Sequence, residues 1–230
     1  MTAFGPADWD DIRLVVFDVD GTLYRQRPLR LRMARDLALH TLTRLDLGTI
    51  AVLRRFRHLR ETLGEARAEG FAERLIAETA AASGRTPDQV REIVARWIDR
   101  HPLPYLLGCR YPGLPELFAG LRRHGKAIGV LSDYPAAAKL AALELAADHV
   151  VTADDPEIGV LKPHPKGLAA LIGRAATTPA ATLMIGDRAD RDGLVAQQVG
   201  AHVLLRASRP IAGWQTFARF DDALFAPMLA

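Results

Sequence analysis

The chain has 230 residues, 49% of them hydrophobic and 25% charged, with a formal net charge of +3. That balance belongs to a folded globular chain and excludes a disordered tail, a collagen-like fibre and a coiled coil. Charged residues break every apolar stretch well short of the ~20 residues a membrane helix needs, and so small a net charge is a poor argument for a nucleic-acid partner. Met1 to Asp11 carries acids and no basic-then-apolar run, so no secretory leader is expected. The lone Cys109 has no partner for an internal disulfide, which suits a reducing cytoplasm. The basic residues are almost all Arg: Lys126, Lys139, Lys162 and Lys166 are the only lysines, so a Lys at a meaningful position carries information.

In chain order, Ile12 to Phe17 is a near-continuous apolar, β-branched run that stops at Asp18, as expected of a strand buried on both faces of a parallel sheet. Asp20-Gly21 follows with turn chemistry. From Arg25 to Gly108 the pattern is helical. Leu29, Met33, Leu37 and His40 recur at helical spacing, and so do Leu53, Phe56 and Leu63. Thr86-Pro87-Asp88-Gln89 predicts a helix start, with Thr86 as N-cap and Gln89 placed for a capping box. His101-Pro102-Leu103-Pro104 predicts where that helix ends. Beyond it, short apolar strands over 127–131, 149–152, 182–185 and 202–205 alternate with helical patterns such as 114–121, 136–145 and 167–175. That alternation implies βαβ units. The expected fold is α/β, a Rossmann-like parallel sheet with helices on both faces (residues 1–24 and 109–230), interrupted by an all-helical insert over residues 25–108.

Ligands of open parallel sheets bind beyond the carboxyl ends of the strands. Asp18 and Asp20 stand there after the first strand, Ser132 and Asp133 after the second, and Asp187 after Leu183-Met184-Ile185. Clustered carboxylates repel one another unless a cation neutralises them, and Asp18, Asp187 and Asp192 make a hard oxygen set suited to Mg²⁺. A carboxylate such as Asp18 can attack phosphorus, as in aspartyl-phosphate chemistry. Asp20, two residues on, leans to the same side of an extended segment and can exchange a proton with a leaving oxygen and with water. Lys162, between prolines in Leu161-Lys162-Pro163-His164-Pro165, offers a compact positive charge, and Ser132 a hydroxyl donor, toward a transferring phosphoryl group.

Asp18-Val19-Asp20-Gly21-Thr22-Leu23-Tyr24 resembles the first motif of the haloacid dehalogenase-like (HAD) hydrolase superfamily. Ser132 after an apolar strand resembles the second, Lys162-Pro163 with Pro165 the third, and Gly186-Asp187-x-x-x-x-Asp192 the fourth. The resemblance implies a Mg²⁺-dependent phosphatase acting on a small phosphorylated metabolite. In it Asp18 is nucleophile and metal ligand. Asp20 is general acid/base and a metal ligand through its carbonyl. Ser132, Asp133 and Lys162 hold the phosphate, Asp187 binds the metal, and Asp192 binds it or orients its waters. Residues 25–108 then form the family's helical cap. Family members that cleave carbon–halogen bonds lack the acid found here at Asp20. Alternatives are a phosphomutase of the same architecture and a non-catalytic protein holding an acidic partner or nucleic acid through its basic cap.

The front of the insert is rich in Arg, and Arg25 and Arg27, where the chain leaves the first motif, are the candidates there for substrate contact. Two positions depart from the commonest family pattern: Asp133 stands where Asn is frequent, and Arg191 where a small or amide residue is common. Arg191 is expected to face solvent, His164 to be an exposed loop residue and Cys109 a packing residue.

Overall fold

The computed structural model describes residues 4–44 and 46–230. Its centre is a six-stranded, wholly parallel sheet in the order β3-β2-β1-β4-β5-β6. The strands are β1 (Leu14–Phe17), β2 (Ala127–Ser132), β3 (His149–Thr152), β4 (Thr182–Gly186), β5 (His202–Arg206) and β6 (Thr216–Phe217). β1 is central because every residue from Leu14 to Phe17 is apolar and fully buried, so neither of its faces can meet water. Alternation splits it between two layers. Val15 and Phe17 pack with α6 (Leu114–Arg123), α7 (Ala137–Ala142) and C-terminal residues such as Phe225, whereas Leu14 and Val16 pack with α8 (Lys166–Arg174) and α9 (Leu194–Val199).

Five helices lie between β1 and α6: α1 (Gln26–Arg44), α2 (Gly48–Glu65), α3 (Phe71–Ser83), α4 (Pro87–Val94) and α5 (Leu103–Leu106). α4 begins as expected: Thr86 Oγ1 accepts the Gln89 N–H at 3.3 Å, and Gln89 Oε1 accepts the Thr86 N–H at 3.0 Å. It continues into a π-type turn over Ala95–Arg100 that buries Trp97 and Ile98. Leu53, Phe56 and Leu63 of α2 join Phe71, Leu75 and Trp97 in a core of their own, which reaches Ala153 and Leu161 of the sheet-bearing part. The two segments that carry the chain out of and back into the sheet layer pair with each other: Arg25 N–H donates to Cys109 O at 2.9 Å and Tyr111 N–H to Leu23 O at 3.1 Å. Among the described residues, no helix is long and apolar enough to cross a membrane.

Candidate active site

The register aligns Phe17 with Val130 on one side and Ile185 on the other. Asp18, Ser132 and Asp187 therefore leave the sheet side by side, from three adjacent strands. Lys162 closes the group from the loop before α8. Its Nζ donates to Asp18 Oδ1 at 2.6 Å and to Asp192 Oδ1 at 2.7 Å, and the peptide bond to Pro163 is cis. The second oxygen of Asp18 accepts from Thr22 Oγ1 at 2.9 Å. Asp192 sits in a π-type turn, Ala189–Gly193, and its Oδ2 accepts the N–H groups of Asp187 and Arg188, each at 3.1 Å. Two glycines make room. Gly21 has φ +116°, and a Cβ there would lie 2.1 Å from Asp187 Oδ2; a Cβ on Gly186 would lie 2.3 Å from Asp192 Oδ2.

One oxygen from each of Asp18, Asp187 and Asp192 falls within 4.8 Å of the others. Asp192 accepts from Lys162 and two backbone N–H groups and Asp18 from Lys162 and Thr22, whereas no donor reaches the Asp187 carboxylate among the described residues. Burial, together with the charges of Asp18 and Asp192, pushes Asp187 up to about 8. Burial likewise raises Asp18 to about 6, with Asp192 and Asp20 adding to the rise against Lys162. Burial opposes the charge on Lys162, yet Asp18 and Asp192 outweigh it and hold the ammonium well above its ordinary range. Buried carboxylates held this close are short of positive charge, and a hard divalent cation fits them. Asp18, Asp187 and Asp192 are the carboxylates placed to share such a cation, and Asp192 also holds the loop that presents Asp187.

Asp20 faces the same cavity, in a different setting. Its carboxylate receives Lys139 Nζ at 2.7 Å on both oxygens and the Tyr24 hydroxyl on one. Burial would raise its pKa, but the Lys139 charge and these hydrogen bonds prevail and lower it. The Asp20 carbonyl, expected among the metal ligands, accepts Gln26 Nε2. Lys139, on α7 and 5% exposed, is a site residue the motifs do not mark; only the rarity of lysine in the chain pointed toward it.

The other expectations divide. Ser132 is 1% exposed, its Oγ accepts the Tyr134 N–H at 3.1 Å, and it lies outside the cavity lining. Asp133 lines the cavity, and its Oδ1 accepts the Lys162 N–H at 2.9 Å, so the side chain anchors the lysine loop. Arg25 does not reach the site: it is exposed and turns to the Gly108 carbonyl, because the two connecting segments run together there. Arg27 lines a smaller neighbouring cavity of about 490 Å³ with Arg206. Arg191 does not face solvent. It is 4% exposed and donates to Lys162 O, to Glu61 O at 3.1 Å and to Glu61 Oε2 at 2.8 Å; those three acceptors are what permit an arginine to be buried. Cys109 is buried as expected, whereas His164 is half-buried rather than exposed, its Nδ1 accepting the Lys166 N–H at 3.2 Å.

The acids floor a cavity of about 930 Å³ roofed by α1, α2 and the turn at Trp97. Glu61 of α2 ties roof to floor, since Arg188 reaches its two oxygens at 2.9 and 3.2 Å and Arg191 reaches it as well. Arg60 adds bonds to Asp133 O and, at 3.4 Å, to Asp154.

The architecture is thus a parallel sheet with a helical insert after its first strand and a carboxylate–lysine cluster at its carboxyl edge. Residues 12–200 match the family model of the haloacid dehalogenase-like hydrolases, and the chain belongs to that family. Solved structures agree in fold. A 2-haloacid dehalogenase from Pseudomonas syringae pv. Tomato DC3000 superposes with a TM-score of 0.64 at 18% identity, over 95% of this chain and 98% of that one. The putative HAD-hydrolase YfnB from Bacillus subtilis, bound to magnesium, gives 0.66 at 16% identity over 91% and 96%. A predicted phosphoglycolate phosphatase from Haemophilus somnus 129pt gives 0.56 at 20% identity over 94% and 98%. No curated protein matches the chain.

Proposed function

We propose that this chain is a magnesium-dependent phosphatase acting on a small phosphorylated substrate, with residues 1–24 and 109–230 as catalytic core and 25–108 as cap. The observation that carries the reading is the presence of two carboxylates of opposite character in one cavity: Asp18, beside Lys162 and Asp187, and Asp20, held apart by Lys139. A dehalogenase needs the first of these; protonating an alkoxide leaving group calls for the second as well.

Asp18 Oδ attacks phosphorus in line, forming an acyl phosphate as the ester P–O bond breaks; Asp20, ionised beside Lys139 at rest, takes up a proton from solvent and passes it to the departing oxygen. Water then attacks the phosphorus and gives its proton to Asp20, releasing inorganic phosphate and restoring Asp18. Lys162 Nζ and the N–H groups beyond β2 hold the phosphoryl oxygens, with Lys162 offsetting charge as it develops. Asp18, Asp187 and Asp192 would hold the magnesium ion, which supplies further neutralisation of the phosphoryl charge.

The test is phosphate release from a panel of sugar phosphates, nucleotides and aryl phosphates, with Mg²⁺ and with a chelator, for the parent and for Asp18→Asn. Metal-dependent release that vanishes in Asp18→Asn is expected. Halide release from 2-haloacids, with no phosphate from any ester, would overturn the assignment.

A further inference from the structure

Resting on the phosphatase reading, we infer that the substrate carries a second anionic group, separated from its phosphate by an apolar body and received by Arg54 and Arg57. Ile50, Arg54, Arg57 and Glu61 share one face of α2, and all four line the large cavity. Glu61 marks the core end of this face, through its bonds to Arg188 and Arg191. At about 1.5 Å per residue, Arg57 lies about 6 Å and Arg54 about 10 Å further along the helix axis from that point.

The arginines of the cavity fall into two kinds. Arg188 and Arg191 are neutralised by Glu61 and Asp190, and Arg30 is turned to the Gln26 side chain. Arg54 and Arg57 have no carboxylate within ion-pair distance among the described residues, and both side chains are exposed. The same cavity is also lined by apolar side chains, among them Leu29, Met33, Leu53, Trp97 and Ile98.

A cavity of about 930 Å³ is at the upper end of the range for sites that bury whole ligands, about 300–1,000 Å³. It is far larger than a two-carbon phosphate requires. A floor built for one phosphoryl group, apolar side chains in the lining and two guanidinium groups without a carboxylate partner among the described residues match a bifunctional ester. Its distal carboxylate or phosphate would make charge-assisted hydrogen bonds to the arginine pair.

Hexyl phosphate and its ω-carboxylated counterpart differ only in the far group. Turnover and binding of both are compared in the parent, in the double variant Arg54→Gln/Arg57→Gln and in its Lys/Lys counterpart. Binding is followed by calorimetry in an Asp18→Asn background with Mg²⁺, so that it is read without turnover. The carboxylated ester should bind about ten- to hundredfold more tightly than the plain one. The Gln pair should erase that preference, weakening the carboxylated ester far more than hexyl phosphate, and the Lys pair should restore part of it. Equal binding of the two esters by the parent, or equal losses for both in the Gln variant, overturns the inference. An arginine-dependent preference without phosphate release from either ester would keep the anion subsite and remove the phosphatase reading instead.

Discussion

Lys139 Nζ lies 2.7 Å from both carboxylate oxygens of Asp20, and this pair separates Asp20 electrostatically from Asp18, whose cation is Lys162. Two aspartates two residues apart thus receive different lysines and opposite shifts. If Asp20 exchanges the proton, Lys139 sets the pH at which it does so. Lys139→Met removes the charge that holds Asp20 below the ordinary carboxylate range, so whichever limb of the pH–rate profile Asp20 controls moves to higher pH. A merely structural lysine would lower the rate without moving the limb. Asp20 is partly exposed, so the lost pairing costs about 1–3 kcal/mol in urea unfolding, below the figure for a fully buried pair. The sign with pH also follows. The stability gained from the depressed Asp20 is present above the usual carboxylate range and lost as pH falls through the lowered folded value; in Lys139→Met that acid-side loss disappears.

The metal prediction runs in the opposite direction on the pH scale. Asp18 and Asp187 keep their protons in the folded, metal-free protein up to about 6 and about 8, against 3.8 for an ordinary carboxyl. Between those limits the folded form binds more protons than the unfolded chain, so the metal-free protein loses stability as pH rises. A divalent cation that takes the place of those protons removes the penalty. The rise in unfolding midpoint caused by a fixed Mg²⁺ concentration should therefore grow from about pH 6 to about pH 8. At a hundredfold excess over Kd the stabilisation is about 2.7 kcal/mol, or about 5–10 °C in a chain of this size. Thermal scans at matched ionic strength check it. A shift independent of pH would mean that the cation binds elsewhere.

Much of this site is legible in the chain because buried parallel strands have a sharp end. Leu14–Phe17 and Leu183–Ile185 are apolar throughout, and the acids just beyond them, Asp18 and, after Gly186, Asp187, stand out against them. Lys139 carries no such mark. It lies in an alanine- and leucine-rich helical stretch where one lysine reads as a solvated position, and only three-dimensional packing turns it toward Asp20. That helix is also shorter than its pattern, Ala137–Ala142 rather than 136–145, since Glu144 takes a positive φ of 54°. Arg191 was misread because its burial depends on Glu61, 130 residues away in the chain. β6 is two residues long, too short for any alternation to register.

Gly21 offers a steric test of the acid cluster. A Cβ at this position would overlap the Asp187 carboxylate at 2.1 Å, and φ of +116° disfavours any side chain. Gly21→Ala should fold with a loss of about 1–3 kcal/mol and should displace the one carboxylate without a donor. The expected result is Mg²⁺ affinity reduced at least tenfold, read by the metal dependence of thermal unfolding. Unchanged metal dependence would remove Asp187 from the ligand set.

Glu61 tests whether the helical insert closes over the cavity. It is half exposed, but its partner Arg191 is 5% exposed in its side chain and already committed to the Lys162 carbonyl and to the backbone of Glu61. Burial and the two arginines oppose each other at Glu61, and the arginines win, holding it ionised below the usual glutamate range. Glu61→Gln keeps the shape and removes the charge. Arg191 then retains its carbonyl acceptors and stays folded in place, while Arg188 keeps Asp190. The floor should therefore survive, and the cost to global stability should be about 1–3 kcal/mol, because Arg191 stays buried without its counter-charge. The hold of α2 on the core should weaken instead. Amide hydrogen exchange should quicken through 57–65 and around 188–191 while α6 and β1 keep their protection. If the closed cap also shields the acyl phosphate, KM should rise more than kcat falls. Uniform exchange across the chain, or acceleration confined to the sheet, would show that Glu61 supports the fold and has no part in closing the cap.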